Sequence, residues 1–134
     1  MQFCFINNLT ETKMNLILKL EEAAIFVLCV FLFNRLPFEW WWFPALLLLP
    51  DVAMVGYILN PKIGAYVYNL FHHRLTAAAV ACYGLSSGNA YWQLAAIILF
   101  AHIAMDRLMG YGLKYEDSFH HTHLGTTGKD KEGA

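Results

Sequence analysis

The residues in this chain best suited to chemistry are carboxylates and imidazoles embedded in apolar sequence: Asp51, His72, His102 and Asp106, with Tyr68 and Asn69 just ahead of His72. His102 and Asp106 are spaced i,i+4 and Asn69 and His72 i,i+3, so on helices each pair shares a face. Tyr68 and His72 form a further i,i+4 pair, whereas His73 is turned about 100° away from His72. Neutral imidazole nitrogen together with carboxylate oxygen suits zinc, iron or manganese. Asp51, His72, His102, Asp106 and Asn69 are therefore expected to hold a divalent transition metal, with Asn69 as a ligand or as a donor to one. Such an ion with an open position polarises a water or a substrate oxygen. Cys4, Cys29 and Cys82 lie far apart with no CxxC spacing, which argues against both a disulfide framework and a thiolate site.

The elements that must carry these groups are apolar blocks. The chain has 134 residues, one domain's worth, with 58% hydrophobic and 14% charged residues. An average globular protein has roughly a quarter of its residues charged. That balance makes a water-soluble domain improbable, and a net charge of -1 gives no basic footprint for nucleic acid. A helix crossing the hydrocarbon core needs about 20 mostly apolar residues. Residues 16–34, 40–59, 63–85 and 91–109 meet that length, separated by short breaks with turn chemistry around Pro37, Asn60-Pro61 and Ser86 to Asn89. The predicted fold class is all-α: an integral membrane four-helix bundle with a His-rich cytoplasmic C-terminal loop. Trp40, Trp41, Trp42, Tyr91 and Trp92 stand at block ends, where amphipathic rings favour the headgroup layer.

Four crossings put both termini on one side. Lys13, Lys19, Lys62, Arg107, Lys114, Lys129 and Lys131 then fall on that side and only Arg35 on the other, with Arg74 inside a span. The positive-inside bias places both termini in the cytoplasm. Residues 1–15 are polar and patternless. They are expected to be disordered, or an extension ahead of a start at Met14. Residues 16–125 form the transmembrane domain with its motif loop, and residues 126–134 are expected to be a disordered tail. Glu21 and Glu22 interrupt the first block, which argues for a retained helix rather than a cleaved signal.

Depth ties the polar residues together. At a rise of 1.5 Å per residue, Asp51 lies about 12 Å from the cytoplasmic helix end, Asn69 about 9 Å, His72 about 14 Å, His102 about 10 Å and Asp106 about 5 Å. Three helices thus deliver polar side chains to one slab. Pro50 weakens the helix before Asp51. The segment after the fourth block, GYGLKYEDSFHHTHLG, can fold back as a lid with His123 over the cluster as a ligand or general acid/base. Lys114, Arg107 and Lys62 would ring the mouth and hold an anionic headgroup or phosphate, Lys114 joining His123 in the chemistry. The bland alternatives are an intrahelical His102–Asp106 hydrogen bond, Asp51 paired with Arg74 or His72 as polar glue, and Glu21 and Glu22 near the headgroups. His73 and Arg74 would then snorkel or pack against a neighbour. HExxH, GxSxG and Walker signatures are absent, and Ser86 and Ser87 fall at the opposite face.

Leu49-Pro50-Asp51, Gly56-Tyr57, Tyr68-Asn69 with His72, Ala101-His102-Ile103, Asp106-Arg107, Gly110 to Tyr115 and Thr122 to Gly125 carry a resemblance. Over about residues 16–125 the chain resembles a small bacterial membrane-protein family, domain of unknown function four-two-six-zero. The resemblance implies a polytopic inner-membrane protein and brings no activity with it. Its motif positions fall on Asp51, Asn69, His72, His102, Asp106, Lys114 and His123, while His73, His120 and His121 look particular to this chain. A more distant similarity to membrane-bound metal-dependent hydrolases is analogy only.

The expected function is that of an inner-membrane protein with a cytoplasm-facing Asp/His/Asn cluster. Its expected activity is metal-dependent hydrolysis of a lipid-like or phosphorylated substrate. The alternatives are a proton or cation relay, which four helices would support only as a homo-oligomer, and a structural subunit whose polar cluster fixes helix packing.

Overall fold

The computed structural model describes residues 2–114 and 121–126. The first helix, α1 (Gln2–Phe33), is longer than its apolar block. No glycine or proline occurs before Pro37, so nothing in the chain stops the helix from propagating through residues 2–15, which the sequence alone suggested were disordered or an extension.

Two of the four apolar blocks are not single helices. Residues 40–59 divide into α2 (Trp42–Leu47) and a 3-10 helix (Leu49–Ile58). Pro50 has no N–H to give to the α-helical ladder, and Asp51 N–H bonds to Leu48 O at 3.1 Å, the tighter i→i−3 pattern. Residues 63–85 divide at His73 into α3 (Pro61–His72) and α4 (Arg74–Ser87). His73 is extended (φ −94°, ψ 130°), and its Nδ1 accepts from Leu75 N–H at 3.1 Å, so one imidazole ends the first helix and caps the second. Asn60 caps α3 by accepting from Ile63 N–H at 2.9 Å, with Pro61 in the first turn.

Helix α4 ends at Gly88 in the left-handed region (φ 64°). Asn89 then caps α5 (Ala90–Leu108) through Tyr91 N–H and Trp92 N–H. After α5 comes a two-residue antiparallel hairpin, β1 (His121–Thr122) with β2 (Gly125–Thr126), and Lys114 bridges to Thr122. Among the described residues, no helix is long and apolar enough to cross a membrane. Lys19, Glu21 and Glu22 interrupt α1, and His102, Asp106 and Arg107 occupy the last turns of α5. The breaks at Leu48 and His73 leave the remaining helices at 14 residues or fewer.

Helix α5 is the central rod, packed by α1 and by α4. Gly84 lets α4 and α5 approach: a Cβ there would stand 2.7 Å from the Gln93 nitrogen and 2.9 Å from the Trp92 carbonyl carbon. Cys29, Phe33, Phe43, Leu94, Ile98 and Ala101 form the apolar core, with Phe33 and Phe43 edge to face at 5.3 Å. The 3-10 helix and α3 pack on each other as a second unit. An apolar groove separates that unit from α4 and α5.

Candidate metal centre

The two units meet at one polar cluster. Asp51 comes from the 3-10 helix, His72 from the last turn of α3, and His102 and Asp106 from successive turns of α5. One ligand atom from each of these four lies within 4.8 Å of every other. His72 Nε2 is 3.6 Å from Asp51 Oδ1 and 3.5 Å from Asp106 Oδ2; His102 Nε2 is 3.2 Å and 3.4 Å from the same two atoms. Four ligands at 2.0–2.2 Å around a tetrahedral ion are separated by about 3.3–3.6 Å. The four nitrogen–oxygen separations fall on or next to that range.

The outer nitrogens of the two rings decide what the inner ones can be. His72 Nδ1 lies 2.9 Å from Tyr68 O, and His102 Nδ1 lies 2.7 Å from Leu47 O. A carbonyl oxygen only accepts, so each Nδ1 carries a hydrogen, and a neutral ring then presents a bare lone pair at Nε2. The two Nε2 atoms are 2.9 Å apart. Two lone pairs at that distance, flanked by carboxylate oxygens, repel unless a cation stands between them. Nδ1–H to a main-chain carbonyl is also how metal-bound histidines are commonly oriented.

Burial sets the direction of access. His102 is fully buried and Asp106 nearly so, while the Asp51 side chain is 39% exposed. Asp51 therefore forms the open wall. Tyr68 donates to Asp106 Oδ2 at 3.1 Å and stacks on His72 with ring centroids 3.7 Å apart. Its spacing to His72 was visible in the sequence, but its part in orienting two ligands was not. A cavity of about 10 Å³ lies beside His72 and Asp106, beneath Tyr111 to Leu113, enough for about one water.

The other expected site residues lie outside the converging group. Asn69 is not placed as a ligand. Its amide donates to Lys114 O and accepts from Lys114 N–H, both at 2.7 Å, so both polar atoms are engaged with one main-chain segment. Lys114 is buried, with Nζ 4.9 Å from the centroid of the Tyr68 ring. Burial pushes its ammonium below the usual lysine range, opposed by the charges of Asp106 and Asp51. His123 is exposed and holds the loop: its Nδ1 accepts from Leu113 N–H at 2.8 Å, and its own N–H bonds to Leu113 O at 3.0 Å. Partial burial, and after it the charge of Arg107, pushes His123 below the ordinary histidine range. His120 lies outside the described residues, as does the side chain of His121. Arg74 pairs with Glu22 of α1 rather than with Asp51, tying α4 to α1 beside the cluster.

Fold and site together define a helical protein with one short C-terminal hairpin and a largely buried group of two histidines and two aspartates close enough to hold a metal ion. The chain belongs to the family described as a domain of unknown function (DUF4260), whose model matches residues 15–127. No curated protein and no solved structure matches the chain.

Proposed function

We propose that the chain is a metal-dependent hydrolase of the bacterial inner membrane, acting on an ester or phosphoester of a lipid-like substrate. Asp51, His72, His102 and Asp106 are its ligands. The observation that carries this reading is the pair of Nε2 lone pairs facing each other among carboxylate oxygens, each ring's tautomer fixed by a main-chain carbonyl. A divalent transition metal (zinc, iron or manganese) bound there supplies Lewis acidity toward a water or a substrate oxygen. His102 and Asp106 hold the buried side of the site, Tyr68 orients Asp106 and His72, and Asp51 lines the side a substrate can reach. Lys114 and Arg107 bring positive charge to the same end of the molecule, where an anionic headgroup would lie.

Membrane placement is supported by the surface. Ile58, Leu59, Leu75 and Leu85 are each more than 70% exposed, and Val27, Phe31, Leu48, Val52 and Val55 are more than half exposed. These residues lie on α1, on α4, and on or beside the 3-10 helix, forming an extensive apolar surface that hydrocarbon would cover. Interrupted helices are tolerated at membrane depth where the break lines a polar site, and Leu48 and His73 each adjoin the cluster. The lysine and arginine distribution supports cytoplasmic termini.

A second reading rests on the same geometry: a shared proton serves as the cation, and the cluster fixes the register of the two units. Elemental analysis of the detergent-purified protein separates them. The hydrolase reading expects about one transition metal per chain, lost in His102→Ala. A metal-free wild type that folds normally would leave the structural reading.

A further inference from the structure

The groove between the 3-10 helix with α3 and the α4–α5 pair has a volume of about 680 Å³. Leu46, Val52, Val67, Phe71, Ala95 and Leu99 are among its walls, and Trp42, Tyr91 and Trp92 stand at one end. Thr76 is the one small polar side chain along it. With so few polar side chains in its walls, the groove suits a ligand portion that is apolar along most of its length. The small side chains of Ala53 and Ala95 leave the space open.

The groove adjoins the metal centre without any of the four ligand residues lining it. Pro50 and Val52 flank Asp51 on the 3-10 helix, while Val67 and Phe71 alternate with Tyr68 and His72 on α3. On α5 the lining ends at Leu99, one turn short of His102. From His102 back to Trp92 is ten residues, or about 15 Å along the helix axis. An extended chain of about a dozen carbons has that length. Ile98 and Leu99 share a helix face with His102 at i,i+4 and i,i+3, so the α5 wall of the groove leads to the metal centre, and a linear chain with a polar head is the fitting occupant.

We propose that this groove seats one linear acyl chain of the substrate, its head at Asp51 and its methyl end between Trp42 and Trp92. For the head, the proposal rests on the metal-centre reading; the chain subsite is tested separately. The tryptophans at the far end serve as reporters, and dodecanoic acid brominated at one end or the other serves as the probe, bromine being a contact quencher. With full-length protein in detergent, acid brominated at the terminal carbon should quench tryptophan fluorescence saturably and several-fold more deeply than acid brominated at carbon two. The saturable part should vanish in Trp42→Phe/Trp92→Phe, and also in Ala95→Phe, which fills the groove and keeps all tryptophans.

Equal quenching by the two isomers, or quenching that rises without saturation and ignores Ala95→Phe, would mean that the acids simply partition into apolar surroundings, and would overturn the proposal. So would the absence of quenching because a second copy fills the groove. Metal content measured on the same samples keeps the two readings apart. A metal-loaded protein without position-dependent quenching sinks only the chain subsite, and position-dependent quenching in a metal-free protein sinks only the metal centre.

Discussion

His72 and His102 face each other with their Nε2 atoms 2.9 Å apart, and each ring is held from behind by a main-chain carbonyl, Tyr68 O for one and Leu47 O for the other. The 3-10 helix and α3 supply Asp51 and His72, and α5 supplies His102 and Asp106, so the cluster joins two units that a groove otherwise separates. A cation at its centre would serve chemistry and architecture at once.

Tyr68 is the most informative single substitution around the site. Tyr68→Phe keeps the ring stacked on His72 and removes only the hydrogen bond to Asp106. Loss of one hydrogen bond costs about 1 kcal/mol of stability. Loss of an orienting partner lowers metal affinity about 10-fold or more. A chelator competition titration should therefore show clearly weaker metal binding by a protein whose melting temperature has barely moved.

Asn69 predicts a different phenotype. Its two bonds to the Lys114 main chain fasten the C-terminal segment to α3, so Asn69→Ala should release that segment by about 2 kcal/mol, at about 1 kcal/mol per bond. Asn69→Asp can accept from Lys114 N–H but cannot donate to Lys114 O, and should be no better. Hydrogen exchange at the Lys114 amide should accelerate in both variants while metal content stays at the wild-type level. Loss of the metal would instead make Asn69 a ligand.

The attachment of His123 to Leu113 should depend on pH. Its Nδ1 must be unprotonated to accept from Leu113 N–H, and burial and Arg107 hold it below the ordinary histidine range. A histidine whose folded-state pKa is lowered binds fewer protons than the unfolded chain below about pH 6.5. Its contribution is therefore full above that pH and declines as pH falls through the folded-state value. The protection factor of the Leu113 amide, corrected for intrinsic exchange, should drop on going from neutral to mildly acidic pH. In His123→Ala it should already be low and flat across that range.

Much of the site was legible in the sequence because helical rise and spacing are strict. Residue counting brought Asp51, His72, His102 and Asp106 together, and they do converge. The counted depths assumed unbroken α-helices and do not carry over past the breaks at Leu48 and His73. The break at His73 was not legible: no glycine or proline marks it, and an imidazole cap lies outside the usual serine, threonine, aspartate and asparagine signature. Asn69 was placed among the ligands because its spacing to His72 fits a shared face. Its actual partner is main chain 45 residues away, which no local pattern encodes. Pro50 marked the weak point in the helix before Asp51, but not that the Leu47 carbonyl left free there would meet His102, 55 residues away. The pairing of Arg74 with Glu22 depends on how α1 lies against α4, a matter of packing rather than spacing.

The most direct test of the account is X-ray absorption at the metal edge of protein purified with its native metal. About one ion per chain is expected, with two imidazoles and carboxylate oxygens at about 2.0–2.2 Å in its first shell, and no sulfur. His72→Ala/His102→Ala should abolish that spectrum. A wild-type protein without bound metal, or an ion whose first shell is unchanged when both histidines are replaced, would contradict it.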